Sequence, residues 1–299
     1  MADDKAEYRF GLVLGLACYL VWGLVPLFFK LLKEVPAGEV VANRILWSAV
    51  ILLLIAVPRG RLPAIGQIFR DPKLLTMLCA SATFIAINWL VYIWAVNANH
   101  LLAASLGYFL NPLVNVALGI VVLGERLRRL QIVAVAIAAV GVVIAALGAL
   151  SELWISVALA LSFGFYGLVR KQAQVSAVEG LTVETLILAP VFLLGLVWQA
   201  QSHPLAFGRG FTLSALLVAS AFVTSVPLVV FAMAAKRLPF ATIGLLQYIA
   251  PSMVFLIATL GYHEAMRPQL LIAFVFIWVA LALFTIDLLR DVMALRATA

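Results

Sequence analysis

Polar side chains with helical spacing stand inside long apolar stretches of the sequence. Asn88 and Tyr92 are four residues apart, and Asn111 and Asn115 repeat that spacing, with Tyr108 three residues before Asn111. Residues three or four apart share one face of a helix, and polar groups at membrane depth usually face the bundle interior or a water-filled path. Amide and phenol groups on such faces could hold the ammonium and carboxylate groups of an amino acid.

Prolines adjoin several of these polar residues. Pro112 follows Asn111 and removes a backbone donor, which loosens the helix beside the amide. As a set, these residues predict the lining of a cavity. The candidate substrate-binding residues are Trp22, Asn88, Trp89, Tyr92, Tyr108, Asn111, Asn115, Ser162, Tyr166, Ser225, Gln247 and Tyr248. The candidate hinge or gate residues are Pro26, Pro112, Pro227 and Pro251. For each polar residue an alternative stays open, since such side chains also hydrogen-bond neighbouring membrane helices.

The composition narrows the class of protein. Of the 299 residues, 66% are hydrophobic and only 11% are charged, with a mean hydropathy of +1.16. A soluble domain is about 25% charged, so these values exclude a soluble enzyme, a disordered chain and a nucleic-acid-binding domain. Cys18 and Cys79 lie in apolar runs, which argues against a disulfide framework or a zinc site. No G-x-S-x-G or H-E-x-x-H motif is present, so we expect no catalytic residue, metal or cofactor.

Long apolar runs predict an all-α integral membrane protein. A helix needs about 20 residues to span the hydrocarbon core, and ten runs are long enough. The predicted spans are 10–30, 39–57, 74–96, 101–123, 130–150, 153–170, 182–199, 212–235, 240–261 and 269–288. The linkers between them are short, and the longest, 58–73, contains three prolines.

The basic residues predict the orientation. With the N-terminus in the cytoplasm, fifteen of the twenty Lys and Arg residues fall on the cytoplasmic side and four on the outer side. Arg44 lies inside the second span and completes the set. Positive residues concentrate in cytoplasmic loops, so we predict that both termini are cytoplasmic.

The two halves of the sequence resemble each other. A shift of 139 positions overlays 88–125 on 227–264 without a gap and aligns Pro112 with Pro251. The halves are then 1–150 and 151–299, with five helices each. Five is an odd number, so the second half must be inverted relative to the first. Inverted repeats are a hallmark of secondary transporters, with the substrate site near the midplane.

Several longer motifs carry a family resemblance. They include NRILWS at 43–48, NWLVYIWAVNANHLLAASLGYFLNP at 88–112, LGERLRRLQ at 123–131 and SFGFYGLVRK at 162–171. With these, the chain resembles the EamA-type branch of the drug/metabolite transporter superfamily, in particular its RarD-type members, and is similar to amino-acid exporters of the YddG type. One position departs from the pattern. RarD-type proteins commonly have His where this chain has Asn43, so no role of that histidine carries over.

The resemblance implies a fold and a function. It implies ten helices around a central cavity, lined chiefly by helices 1, 3, 4, 6, 8 and 9, and export of amino acids, related metabolites or drugs from the cytoplasm. We therefore expect a small-molecule substrate, preferably an amino acid, and a location in a bacterial inner membrane, as a monomer or weak oligomer. The alternative is efflux of a drug or another metabolite, such as a chloramphenicol-like compound, with or without proton coupling.

Charged residues within the predicted spans carry further expectations. We expect Glu39 and Arg44 to pair with each other or with neighbouring helices, because a lone charge at membrane depth is expensive. Glu125 and Glu264, aligned by the repeat, are expected to close helix ends. Glu184 is expected at the surface or at a gate. The sequence then places no carboxylate near the middle of a span, which favours a facilitator over a proton-driven antiporter.

Overall fold

A computed structural model describes residues 2–98, 100–147, 152–257, 260 and 268–297. Within these ranges the chain is helical and contains no strand. The helices are α1 Ala2–Phe29, α2 Ala37–Ala56, α3 Leu62–Arg70, α4 Pro72–Asn97, α5 Leu101–Val121, α6 Arg129–Ala146, α7 Leu153–Gln172, α8 Ala177–Ala200, α9 Phe211–Arg237, α10 Phe240–Gln247, α11 Ile249–Leu256 and α12 Pro268–Ala297. A short 3-10 turn, Lys30–Leu32, extends α1.

By length and composition, nine of the described helices can cross a membrane. The predicted span 240–261 differs, because the structure has two short helices there, α10 and α11, which join at Tyr248. Pro251 explains the interruption, since it has no N–H to donate to the carbonyl of Gln247. Together α10 and α11 form a shorter apolar segment, Phe240–Leu256.

The longest predicted linker, 58–73, is not all loop. It contains α3, which begins with Pro63 in its first turn, a position that proline favours. Ile65 and Ile68 are buried in a small cluster with Leu78 of α4. Leu62 and Phe69, in contrast, are exposed. The helix is too short to span a membrane and therefore lies against the end of the bundle.

Each long helix packs against one or more specific neighbours. Helix α1 contacts α9 and α11, α2 contacts α8 and α9, α4 and α5 contact α7, α5 contacts α10, and α6 contacts α12.

We call the end of the bundle that holds the start of α1 the terminal face and the opposite end the distal face. Ion pairs cross the terminal face, and they are Glu7–Arg237 at 2.7 Å, Arg61–Glu179 at 3.1 Å and Arg128–Asp287 at 3.2 Å.

The turn between α9 and α10 is fastened from two sides at the terminal face. Glu125 accepts hydrogen bonds from the backbone N–H groups of Phe240 at 2.5 Å and Ala241 at 2.8 Å, at the start of α10. Lys171 donates to the carbonyl oxygens of Ala235 at 2.9 Å and Leu238 at 2.5 Å, at the end of α9. A carboxylate at a helix start and an ammonium at a helix end both complement the helix dipole.

The expectation that Glu125 closes a helix end is therefore confirmed. The helix that it closes is α10, which lies more than a hundred residues further along the chain. Glu264, the residue that the repeat aligns with Glu125, lies outside the described residues.

Replacing Glu125 with Ala is expected to destabilise the bundle, because it leaves two N–H groups at the start of α10 without an acceptor. Loss of a helix cap costs about 0.5–2 kcal/mol. The thermal melting temperature of the purified protein in detergent measures this loss. Arg126→Ala is the control, since Arg126 is an exposed neighbour. Equal melting temperatures for the two variants would contradict the capping role.

Candidate functional site

Tyr92 of α4 and Tyr108 of α5 face each other towards the distal face. Their rings lie 6.0 Å apart in an edge-on arrangement. Their exposed fractions are 38% and 47%, although both helices pack within the bundle. Because both phenols also lie in electrostatic range of Arg44 on α2, we interpret this exposed surface as the wall of a cavity inside the bundle rather than as a lipid-facing surface.

Arg44 of α2 lies at the same cavity. Its guanidinium stands 4.9 Å from the ring centre of Phe29 and 5.2 Å from that of Trp89, which are cation–π distances. Its Nε donates a 2.6 Å hydrogen bond to Oγ1 of Thr224 on α9. The phenol groups of Tyr92 and Tyr108 lie within electrostatic range of the guanidinium. The cavity therefore combines one cation with aromatic and phenolic walls.

Glu39 and Arg44 do not pair with each other. The carboxylate of Glu39 accepts from the backbone N–H groups of Ala206 at 2.5 Å and Phe207 at 3.3 Å, and from the Gln199 amide at 3.4 Å. Residues five apart on a helix point about 140° away from each other, given 3.6 residues per turn. The structure therefore agrees with the other expected arrangement, in which Glu39 and Arg44 each contact neighbouring helices.

Towards the terminal face the cavity ends at a packed group of aromatic rings. Trp22 of α1 lies 5.5 Å from Tyr19, 5.8 Å from Phe163 and 5.7 Å from Phe231, measured between ring centres. Tyr166 stacks on Phe231 at 6.2 Å. The side chains of Tyr19, Tyr166 and Phe231 are buried. We call these five residues the aromatic plug, because they fill the space below the cavity.

Positions that the 139-residue shift aligns differ sharply in exposure. Tyr92 aligns with Phe231, and Tyr108 aligns with Gln247. The first member of each pair is open to the cavity, whereas Phe231 is 1% and Gln247 6% exposed. We interpret this difference as a cavity that is open towards the distal face and closed towards the terminal face.

Several predicted site residues form bonds between helices. Asn88 donates to the carbonyl oxygen of Leu159 at 2.8 Å and to the Ser162 hydroxyl at 3.1 Å, which joins α4 to α7. Asn115 donates to the Gln247 amide oxygen at 2.8 Å and joins α5 to α10. Ser225 likewise donates to Ser48 at 2.7 Å. In this conformation these groups hold the bundle together, and a role in binding substrate stays a prediction.

Other predicted residues carry buried polar atoms without a partner. Oδ1 of Asn111, Oδ1 of Asn115 and the hydroxyl of Tyr248 make no hydrogen bond to any described residue. Buried polar atoms are normally paired, so each is a place where water or a ligand would be stabilised. Tyr108, Asn111 and Asn115 share one face of α5, so this face leads from the open cavity into the core.

The predicted hinge prolines lie inside helices or at their junctions. Pro26, Pro112 and Pro227 interrupt α1, α5 and α9, and Pro251 lies in the first turn of α11. The carbonyl oxygen of Pro112 would stand 2.7 Å from a Cβ atom at Gly244, so α5 and α10 are in close contact there. A role of these prolines in bending stays a prediction.

Sequence reasoning misplaced Glu184. It is 1% exposed, and its Oε1 pairs with Nη1 of the fully buried Arg170 at 3.4 Å. Ser81 of α4 donates a short hydrogen bond to the same oxygen, and Arg170 also donates to the Ala177 carbonyl at 3.0 Å. The predicted span began at 182, but α8 begins at Ala177, so Glu184 lies two turns inside the helix. The expectation that Glu184 lies at the surface or at a gate is thereby corrected.

The comparisons with known proteins agree with this architecture, an all-helical membrane protein. Residues 9–147 match the EamA-like transporter family. An uncharacterized transporter of Pseudomonas aeruginosa is 47% identical over 292 residues, which cover 96% of each chain. Protein RarD of Escherichia coli is 42% identical, covering 95% of this chain and 96% of the relative. A protein of P. aeruginosa named chloramphenicol-sensitive protein RarD is 32% identical, covering 91% and 92%.

One solved crystal structure shares the fold, with a TM-score of 0.72 at 19% identity, covering 94% of this chain and 98% of the other. The similarity to the relatives extends over nearly the whole sequence. The chain belongs to the EamA-like transporters of the drug/metabolite transporter superfamily, and within them it is RarD-like.

Replacing Arg170 with Met is expected to destabilise the protein strongly, because it leaves the Glu184 carboxylate buried without its cation. Breaking a buried ion pair from one side costs about 3–5 kcal/mol. Adding Glu184→Gln should recover part of the loss, and thermal unfolding measures both effects. Arg61→Met is the control, since Arg61 is 58% exposed in its pair and such pairs contribute about 1 kcal/mol or less. Equal losses for Arg170→Met and Arg61→Met would contradict the buried-pair assignment.

Cysteine labelling tests which face is open. In a chain with Cys18 and Cys79 replaced by Ala, Tyr108→Cys should react with a bulky, water-soluble maleimide much faster than Gln247→Cys. The reason is that Tyr108 faces the cavity and Gln247 is buried. Labelling after denaturation gives the total for each variant. Equal rates in the folded protein would show that the cavity is not open to one face alone.

Proposed function

We propose that the protein is a secondary transporter that exports small metabolites, above all amino acids and including aromatic or other apolar ones, from the cytoplasm by alternating access. One observation carries the proposal. A cavity lined by a guanidinium, phenols and an indole is open towards one face of the bundle and blocked towards the other by the aromatic plug. A transporter needs such one-sided access, whereas a channel needs a continuous path.

The orientation follows from the charge asymmetry of the loops. In the predicted topology the terminal face is cytoplasmic and Phe240–Leu256 supplies the ninth of ten spans. The structure then corresponds to the outward-open conformation in a bacterial inner membrane. Ion pairs and the Glu125 cap hold its cytoplasmic side closed.

Amino acids suit the cavity because the polar groups complement both of their charges. The guanidinium of Arg44 is complementary to a carboxylate, and the unpaired Asn111 and Asn115 oxygens are complementary to an ammonium group. Phe29 and Trp89 provide faces for an apolar or aromatic side chain. Efflux of a drug or another metabolite is the second candidate, and the name of the chloramphenicol-sensitive relative favours it.

The proposed motion exchanges the two repeats, 1–150 and 151–299, around the site. In an inverted repeat the inward-open state is reached when each half adopts the conformation of the other. Phe231 and Gln247 then become exposed, while Tyr92 and Tyr108 become buried. Pro26, Pro112, Pro227 and Pro251 are the proposed bend points, because each interrupts the hydrogen bonds of its helix.

We propose a facilitator rather than an enzyme or an obligate proton antiporter. The described carboxylates buried within the spans all have partners: Glu184 pairs with Arg170 and Ser81, Glu179 with Arg61, Asp287 with Arg128, and Glu39 with backbone N–H groups. None of them faces the cavity free to exchange a proton. The lipid bilayer and the small-molecule substrate are the partners of this mechanism, which needs no cofactor and works as a monomer or weak oligomer.

Flux in proteoliposomes tests the proposed function. Liposomes loaded with labelled amino acids should release several of them without a pH gradient. Asn111→Ala should reduce the initial rate about tenfold or more, because a charge-assisted hydrogen bond contributes roughly 1.5–3 kcal/mol. Thr83→Ala is the matched control, since the exposed Thr83 bonds only within its own helix, to Cys79.

Two results would contradict the proposal. Absence of amino-acid flux with folded protein would favour drugs or other metabolites as substrates. Flux that strictly requires a pH gradient would contradict the facilitator mechanism.

A further inference from the structure

Arg44 differs from the other arginines that form contacts inside the bundle. Arg128, Arg170 and Arg237 each have a carboxylate partner at 2.7–3.4 Å. In the part of the chain that the structure describes, no carboxylate lies within ion-pair distance of Arg44. Arg44 is the eighth residue of α2, about 10 Å along the helix from its distal end. An uncompensated cation at that depth is costly, so its retention needs a reason.

Three contacts orient the guanidinium and leave one edge open. Thr224 accepts from Nε, and its own hydroxyl is held by donation to the Ser220 carbonyl oxygen at 2.8 Å. The rings of Phe29 and Trp89 lie within cation–π distance of the group. The two terminal nitrogens make no hydrogen bond to any described residue, and neither of them is fully buried. This leaves a planar fork of N–H donors free beside an open cavity.

The groups around the open edge fit an amino acid with a large side chain. Tyr92 and Tyr108 lie in electrostatic range of the fork and keep much of their surface exposed. Asn111 follows Tyr108 by three residues, so it lies about 4.5 Å deeper along the same face of α5. Its side-chain oxygen is buried and lacks a donor. An acceptor thus lies one turn below the cationic end of the cavity.

We propose that Arg44 is the carboxylate-binding residue of the transport site and selects substrates that carry a free carboxylate. The fork receives the two carboxylate oxygens in the bidentate geometry that arginine favours. The ammonium group points towards the Asn111 oxygen, and an aromatic or apolar side chain packs against Trp89. This inference rests on the proposed function and names the chemical class of its substrate.

A purely structural role is the competing explanation. Arg44 links α2 to α9 through Thr224, and loss of that link could lower every activity equally. The test therefore measures a preference between two ligands rather than an activity. Phenylalanine and phenylalaninamide share the ring and the ammonium group, and differ in that the amide has no carboxylate.

The experiment measures equilibrium binding of both compounds to the purified full-length protein by quenching of tryptophan fluorescence, because Trp89 adjoins Arg44. Wild-type protein should bind phenylalanine roughly 10- to 100-fold more tightly than phenylalaninamide, as expected for a charged hydrogen-bonded contact. R44Q should bind both compounds with similar Kd values. R44K keeps the charge but loses the fork, so it should retain part of the preference.

Two further variants separate binding from structure. T224V removes the link to α9 but keeps the guanidinium, so the preference should persist even if overall affinity falls. R237Q is the matched control, because it removes a contacting arginine of the terminal face. If R44Q does not fold, the reduced preference of R44K carries the test.

The outcomes are distinguishable. A preference that survives in R44Q, or one that R237Q abolishes equally, overturns the assignment of Arg44 while leaving amino-acid transport intact. The assignment of Arg44 is also overturned if the wild-type protein transports amino acids but does not bind phenylalanine more tightly than phenylalaninamide. If wild-type protein neither binds nor transports any amino acid, the proposed function fails, and the substrate class inferred from Arg44 fails with it.

Discussion

The arrangement of this protein depends on one constraint: a polar group inside the bilayer must find its partner within the protein. Lipid offers no hydrogen bonds, so each unsatisfied group costs several kcal/mol. The structure meets this requirement with a small number of long-range contacts. Glu39 binds the backbone before α9, Glu125 caps α10, and Lys171 holds the carbonyl oxygens at the end of α9. The first two contacts fix where the second half sits against the first, and the third holds α7 against the end of α9 within the second half.

The same constraint explains how one side of the bundle stays shut. At the terminal face, buried and half-buried charges satisfy each other across helix boundaries, and the aromatic plug fills the space above them. Around the distal cavity, Arg44 and two tyrosines face an open recess instead. Opening the terminal face requires that its ion pairs and the rings of the aromatic plug separate, or that the groups in contact move together. The Glu125 cap can travel as a unit with α10, because both of its bonds go to the first turn of that helix.

Nine of the ten predicted segments coincide with long described helices, because continuous apolarity over about 20 residues depends only on the local sequence, whereas 240–261 contains the two short helices α10 and α11. Features that depend on helix ends or on tertiary contacts were harder to predict. A start assigned at 182 rather than at Ala177 placed Glu184 at the surface, although it lies two turns inside α8. The nine-residue α3 was hidden among prolines in a stretch too short to span a membrane. A helical-wheel argument would have excluded the Glu39–Arg44 pair, but only the fold brings Thr224 and Trp89 to Arg44.

The unpaired charge of Arg44 also bears on how substrate and motion are coupled. While the cavity is open, water solvates the free edge of the guanidinium at little cost. Closing an empty cavity would remove that water and leave a cation without a counterion in a medium of low dielectric constant. Closing it over a carboxylate leaves a neutralised pair instead. If Arg44 holds the carboxylate, the substrate lowers the free energy of the closed state relative to the empty carrier, which is the differential interaction that any ligand-driven change of conformation requires. The residue that selects the substrate would then also make the rearrangement depend on the substrate.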